Sequence, residues 1–570
     1  MTMVEAHLRL TPCKGLLALP TLKLSVIAAL AAAASPVVAA PVAQVDSVFE
    51  RFSNPRAPGC AVAVDQGGAT VFQKGYGAAN LAFDIPISPD TAFDIASTTK
   101  QFTAAAILLL AEDGKLSLDD DVHKYLPELA DYGRSITIRQ MLNHTSGLRD
   151  FVTLLMFADV DFDDVVTPAQ AMQMLAQQKA LDFMPGERRQ YSNSGYFLAG
   201  QIVERVSGQS LRDFAQQRLF GPLGMTRTVY NDRHNAWLPQ RASGYTPDET
   251  DGAVWRLSEP NWEVIGDGGI VTTVGDLLIW NRNFRTHIVG GPRFSAQMEQ
   301  VGILNSGASS NYSLGLMVDD HDGQPMVHHG GSWGGYRAEL IRFPKRDLSV
   351  AVLCNSASAD ASALAIRVAD LWLDTKKITK PAAHERPRSV VAPADRTTLA
   401  GWVGVYRNAD SGSLRTVELK GGHLEILAFG GRYALTPRPS GVFELVDGPF
   451  EADFSFAKPL QAPAMLTQSA MERTVTFQAI DLAHPTTSQI AGYAGDYDCP
   501  ELGVTYRIRA KNGVLSRTDP RGNAWTFDAL DQDAFGYGNL TLHFTRDAAQ
   551  HIIGATLDIG RVRNLACKRL

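Results

Sequence analysis

Ser97 and Lys100 stand three residues apart in Phe93-Asp94-Ile95-Ala96-Ser97-Thr98-Thr99-Lys100, at the head of the apolar run Ala104 to Leu110. On a helix this spacing puts both side chains on one face, where an amine can take the proton of a hydroxyl and make it a nucleophile. Two later stretches add polar chemistry: Tyr191-Ser192-Asn193, and the glycine-rich His328-His329-Gly330-Gly331-Ser332-Trp333. A phenol, an amide and an imidazole can shuttle a proton, hold an amine and polarise a neighbour. Taken singly each has a plain structural reading: an exposed helical face, an Asx-type turn, a solvated turn.

The elements around them decide how these residues meet. Pro58 to Val64 and Ala69 to Lys74 read as strands joined at Gly67-Gly68. Ser97 to Glu112 is apolar nearly all round, as in a helix at the centre of a domain. Tyr191-Ser192-Asn193 leads into a helical stretch, Phe197 to Val206. Ala338 to Phe343 and Leu348 to Leu353 form a hairpin about Pro344 to Asp347, followed by a helix from about Ala359 to Leu373. Strands at both ends with helices between predict one α+β domain.

The chain has 570 residues, 45% hydrophobic and 20% charged, enough for about three globular domains. A net charge of −7 argues against nucleic acid or anionic lipid as partner, and no glycine-rich dinucleotide fingerprint opens a helix, so no cofactor is expected. Residues 1–43 read as an export signal: Arg9, Lys14 and Lys23 precede the apolar Leu24 to Leu30, and small residues follow through Val38-Ala39-Ala40. Export implies a periplasmic or secreted protein with no stable membrane span. It leaves Cys60, Cys354, Cys499 and Cys567 in a compartment that permits disulfides, at spacings that suit no metal.

In order and context, Ser97-x-x-Lys100, Tyr191-x-Asn193 and His329-Gly330-Gly331 resemble the three-motif signature of the penicillin-recognising serine hydrolases, a family that includes class C β-lactamases, DD-carboxypeptidases and D-aminopeptidases. Leu142-Asn143-His144-Thr145-Ser146-Gly147-Leu148 and Pro222-Leu223-Gly224-Met225 extend the likeness, which spans about 50 to 375. His329 stands where β-lactamases carry lysine, which argues against a β-lactamase. The resemblance implies that Ser97 attacks a carbonyl carbon, that Lys100 and Tyr191 move the proton, and that Asn193 holds Lys100 and a substrate amide. It further implies that His329 acts beside Tyr191, that the backbone N–H groups of Ser97 and Ser332 form the oxyanion hole, and that Gly331 lets substrate approach. Whether Lys100 or Tyr191 is the base stays open. His144 reads as a packing residue and Gly266-Asp267-Gly268-Gly269-Ile270 as site wall.

Beyond the catalytic domain, 44–376, residues 377–396 read as a linker containing Pro381, Pro387 and Pro393. Leu399-Ala400-Gly401-Trp402-Val403-Gly404-Val405-Tyr406 then returns as Ile490-Ala491-Gly492-Tyr493-Ala494-Gly495-Asp496-Tyr497. Short alternating strands in each repeat predict two small antiparallel β domains, 397–484 and 485–570, as barrels or sandwiches. Closing the second as a barrel pairs its first and last strands, which predicts a Cys499–Cys567 disulfide, whereas Cys60 and Cys354 are expected as buried free thiols.

This layout resembles that of the bacterial D-aminopeptidases, in which a loop of the last β domain presents an acid to the substrate's free amine. The matching segment is Phe527 to Tyr537, with Asp531 the expected substrate contact. The resemblance implies an acyl-enzyme hydrolase that releases N-terminal D-residues from peptides, amides or esters. The alternatives are a DD-carboxypeptidase or esterase on the same scaffold, or a silent penicillin-binding or cell-wall module. β-Lactams are compatible with it as inhibitors, and a homodimer is compatible with the sequence.

Overall fold

The computed structural model describes residues 41–161, 163–248, 254–373, 396–409, 412–428, 431–438, 441–445, 452–458, 464–470 and 473–570. The expected signal segment lies outside these residues up to Ala40, and the expected linker lies outside them up to residue 395. Among the described residues no helix is long and apolar enough to cross a membrane.

Strands β1 (Cys60–Gln66), β2 (Ala69–Tyr76), β3 (Met317–His321), β4 (Gln324–Trp333), β5 (Tyr336–Phe343) and β6 (Leu348–Cys354) form an antiparallel sheet in the order β3-β4-β5-β6-β1-β2. Pairing of β1 with β6 joins the two ends of the catalytic domain, and both strands are almost wholly buried, which explains their unbroken apolar text. In that register Cys60 lies directly opposite Cys354, with Cα atoms 4.0 Å apart, and the two form a disulfide. Free thiols were the wrong expectation here. The sequence shows two buried cysteines but not that strands 294 positions apart pair residue for residue.

Helix α1 (Lys100–Glu112) is buried along most of its length between the sheet and the helical half of the domain, beside α2 (Ser194–Ser207). Helix α3 (Ala361–Leu373) and the short helix Val42–Val48 cover the opposite face of the sheet. The expected helix from Ser97 begins instead as a 3₁₀ turn, Ala96–Thr99, and becomes α-helical only at Lys100.

Eight strands, β7 to β14, run from Gly404–Arg407 to Arg473–Ile480 and close into a barrel, with first paired to last. Eight more, β15 to β22, run from Gly495–Cys499 to Val562–Arg569 and close in the same way. The repeat seen in the sequence has a physical counterpart. A short helix precedes each barrel, and the Tyr406 hydroxyl donates to the Trp402 carbonyl at 2.9 Å just as the Tyr497 hydroxyl donates to the Tyr493 carbonyl at 2.7 Å. Closure of the second barrel brings Cys499 and Cys567 into the disulfide expected from the sequence.

The second barrel shares a core with the catalytic domain. Buried Arg149 donates to Glu501 at 2.7 Å and to the carbonyls of Arg563 and Asn564 at 2.9 and 3.2 Å. The Tyr506 hydroxyl donates to the Phe157 carbonyl, and Arg517 pairs with Asp159 at 2.6 Å while lying over the Tyr506 ring.

Candidate active site

Ser97 sits just after a strained residue. Ala96 has φ of 48°, a left-handed conformation that disfavours a β-carbon and costs about 1–3 kcal/mol. The surroundings impose it: Asp94 accepts the Ala96 N–H at 2.7 Å, and the Ile95 N–H donates to the Ile270 carbonyl at 3.0 Å. The result is a partly exposed Ser97 on an otherwise buried segment, the arrangement a nucleophile needs.

One turn on, Lys100 is wholly buried, and its Nζ donates to the Asp267 carbonyl at 2.6 Å, to Asn193 Oδ1 at 2.9 Å and to Ser97 Oγ at 3.1 Å. Two of these acceptors are carbonyl oxygens that cannot donate back, so they fix the nitrogen and aim its third position at the serine. Asn193 is itself held, because its backbone N–H donates to Asp150 Oδ1 at 2.6 Å. The Lys100 nitrogen also lies 5.0 Å from the centre of the partly exposed Tyr191 ring.

Tyr191 rests on His144, with ring centres 4.3 Å apart, and meets Tyr312 edge-on at 6.4 Å. Burial first, and then the charge of Lys100, pushes His144 well below the usual imidazole range, so it packs as a neutral ring. Its Nδ1 accepts the Ser192 N–H at 3.2 Å, which settles the chain just before Asn193.

His329 is held at both ring nitrogens. It is buried, its Nδ1 lies 2.6 Å from the Gly330 carbonyl, and the Tyr312 hydroxyl donates to its Nε2 at 2.9 Å. A carbonyl only accepts, so Nδ1 carries the proton. Burial, aided by Lys100, pushes its pKa down to about 3. The expected partner of Tyr191 is therefore a neutral positioning residue that acts through Tyr312, its ring 6.3 Å from that of Tyr191.

Gly331 likewise serves packing. A β-carbon there would stand 2.1 Å from the Ile95 carbonyl oxygen, so its absence lets β4 close on the turn that bears Ser97. The Thr98 hydroxyl donates to the His329 carbonyl at 3.1 Å across the same contact. Pairing of β4 with β3 stops at His328, so among the described residues Ser332 lies on a stretch of β4 with no strand paired on that side.

Among the described residues Asp531 makes no hydrogen bond or ion pair with Ser97, Lys100, Tyr191 or Asn193. Phe527 to Tyr537 is no long loop but a tight hairpin of β18 (Ala524–Asp531) and β19 (Ala534–Tyr537), whose Leu530 and Ala534 pack on Val405 and Leu414 of the first barrel. The exposed Asp531 carboxylate accepts the N–H of Gln532, and Asp533 is bound by Arg546 and Tyr493. The second barrel reaches the site through a different turn, between β21 (Ile552–Ile559) and β22 (Val562–Arg569). There the guanidinium carbon of Arg561 lies 4.8 Å from the centre of the Tyr191 ring.

Sequence reading missed Tyr312, Asp150 and Arg561. Asp150 carried a signal, since Asp150-x-x-Thr153 is a helix N-cap pattern and its carboxylate does accept the Thr153 N–H. Half-buried Asp267 was read as wall. Burial lifts its carboxyl to about 6 against the opposing pull of Lys100, and its backbone carbonyl is what grips the lysine.

A serine held on a strained turn, a buried lysine three residues on and a tyrosine against that lysine are the parts of a serine hydrolase site. The chain belongs to the Beta-lactamase family, whose model matches residues 45–371. It is similar to a D-aminopeptidase of Brucella ovis, 26% identical over 535 residues that cover 91% of this chain and 96% of that protein. A D-aminopeptidase of Brucella anthropi is 28% identical over 320 residues, 56% of this chain and 60% of that one. Among solved structures it resembles the octameric penicillin-binding protein homologue from Pyrococcus abyssi, at 26% identity and a TM-score of 0.54, covering 77% of this chain and 100% of that one. A penicillin-binding protein from Bacillus halodurans matches at 25% identity and a TM-score of 0.51, over 57% of this chain and 98% of the other.

Proposed function

We propose that this enzyme releases N-terminal D-residues from short peptides, amides or esters through an acyl-Ser97 intermediate. The observation that carries the reading is the grip of two carbonyl oxygens on Lys100, which aims its nitrogen at Ser97 Oγ from 3.1 Å in a site that leaves Ser97 and Tyr191 open to a ligand. The specificity for D-residues is supported by the likeness to D-aminopeptidases, which runs through both barrels as well as the catalytic domain.

In this reading Ser97 Oγ bonds to the carbonyl carbon, the bond to the leaving nitrogen or oxygen breaks, and the serine proton passes by way of Lys100 and Tyr191 to the leaving group. The backbone N–H groups of Ser97 and Ser332 receive the oxyanion, and the side-chain amide of Asn193 donates to the substrate carbonyl. Water then attacks the acyl carbon by the same route in reverse. β-Lactams enter as acylating inhibitors of Ser97. The expected signal segment and two disulfides support a periplasmic or secreted location.

Four substrates test the reading: D-alanine p-nitroanilide, its L-isomer, an N-acetylated peptide ending in D-Ala-D-Ala, and a short-chain ester. Preferred turnover of the D-anilide supports it. Turnover of the acetylated peptide alone makes the protein a carboxypeptidase, and turnover of the ester alone an esterase.

A further inference from the structure

The turn between β21 and β22 is fastened to the catalytic domain by its backbone. Gln190 Nε2 donates to the Arg561 carbonyl at 3.1 Å, Asp182 Oδ1 accepts the Arg563 N–H at 2.7 Å, and Arg149 holds the carbonyls of Arg563 and Asn564. Three side chains of one domain thus fix the turn and the start of β22 of another at the edge of its active site.

The side chain of Arg561 is not consumed by this clamp. Its side chain stays 46% exposed and, besides lying over the Tyr191 ring, stands with Nη1 a loose 4.0 Å from Asp150 Oδ2. Asp150 is already committed, accepting the N–H of Asn193 at one oxygen and both the N–H and hydroxyl of Thr153 at the other. A guanidinium is always charged, and its planar fork of donors matches the two oxygens of a carboxylate. Here that fork is pre-positioned over the catalytic tyrosine with its donors unspent. Arg561 and Arg189 both add to the electrostatic disfavouring of charge on His144 beneath the tyrosine.

The position names the part of the substrate. Of the two groups that move the proton, Lys100 is sealed from solvent and Tyr191 is partly open, so Tyr191 is the one that meets the departing amine. A cation seated on the Tyr191 ring flanks the leaving group. We infer that Arg561 reads a carboxylate on the leaving group, which makes short peptides with a free C-terminal carboxylate the preferred substrates over amides and anilides. This rests on the D-residue peptidase reading and narrows it. The bonds made and broken are those of the acylation above, and the carboxylate is bound but takes no part in them.

The test compares two substrates that differ in one group, D-alanylglycine and D-alanylglycinamide, with D-alanine p-nitroanilide as a third. In the wild type, kcat/KM for the carboxylate should exceed that for the carboxamide by about ten- to a hundred-fold, the worth of one charge-assisted hydrogen-bonded pair. In Arg561→Gln the ratio should collapse towards one through a higher KM for the carboxylate substrate, and Arg561→Lys should restore part of it. A wild type that turns over both equally overturns the inference, as does an Arg561→Gln variant that loses kcat on both in parallel, which would make the arginine a support for Tyr191. Failure of the wild type on all three substrates overturns the D-residue reading and the inference with it; turnover of all three without discrimination overturns the inference alone.

Discussion

The α-carbon of Gly331 lies so close to Ile95 that a β-carbon on the glycine would stand 2.1 Å from the Ile95 carbonyl oxygen. Backbone meets backbone there, so nothing flexible can give way. Gly331→Ala should push β4 off the turn bearing Ser97, costing about 1–3 kcal/mol of stability by overpacking. A displacement of about 1 Å at a reacting centre lowers turnover by about a hundredfold. Labelling of Ser97 by a fluorophosphonate should slow accordingly. Labelling at the wild-type rate would mean that β4 does not set the position of the nucleophile.

Ser97, Lys100 and Tyr191 should behave as one unit. Ser97→Ala should abolish covalent labelling while the melting temperature holds, because no other hydroxyl is placed for attack. Lys100→Ala and Tyr191→Phe should each lose orders of magnitude in kcat, and the double variant little more than the worse single one. Losses that multiply would assign the two groups to separate steps.

The legible part of this site was the part close together in sequence. Ser97 and Lys100 share one turn, and Tyr191 and Asn193 stand two apart just before α2, so type and spacing reveal each pair, though not that folding brings Asn193 to a lysine 93 residues away. That His329 stands beside Tyr191 follows from the motif order, but its bond to Tyr312 was not legible, because Tyr312 reaches it only when the chain before β3 folds against β4. Asp531 was expected at the substrate because the matching segment was taken for a loop, whereas it is a hairpin. A two-residue turn cannot reach across to the cleft, and its flanking apolar residues hold it on the first barrel. The turn that does reach the cleft has one exposed arginine and no pattern to mark it. Both barrels were legible because a repeated motif and alternating strands are local, whereas the Cys60–Cys354 bridge depends on a long-range register.

His328 makes a stability switch between strands. It lies on β4 between Asp319 of β3 and Glu339 of β5, each 3.0 Å away, with 17% of its side chain exposed. Burial opposes its charge, but the hydrogen bonds to the two carboxylates outweigh that and lift its pKa from 6.5 to about 9. A raised histidine pKa stabilises the fold fully below pH 6.5, and the contribution fades as pH rises through 9. It is worth about 3 kcal/mol. His328→Gln should therefore melt well below the wild type at pH 6, with the gap narrowing by pH 10. A gap that stays constant with pH would mean His328 is not charged in the folded protein.

Arg149 ties the second barrel to the catalytic domain, and its removal should be felt in both stability and selectivity. Its side chain is 1% exposed, and its partners Glu501 and Asp182 are 8% and 0% exposed, each also accepting a backbone N–H, so the guanidinium is the buried charge that offsets theirs. Arg149→Leu leaves both buried without it, a loss of about 3–5 kcal/mol. Adding Glu501→Gln removes one stranded charge, so the double variant should unfold at a higher temperature than Arg149→Leu alone. Arg149 also holds the carbonyls just after Arg561, so the single variant should weaken hydrolysis of D-alanylglycine more than that of D-alanine p-nitroanilide. Equal losses on the two substrates would confine Arg149 to holding the domains together, with no part in aiming the arginine at the cleft.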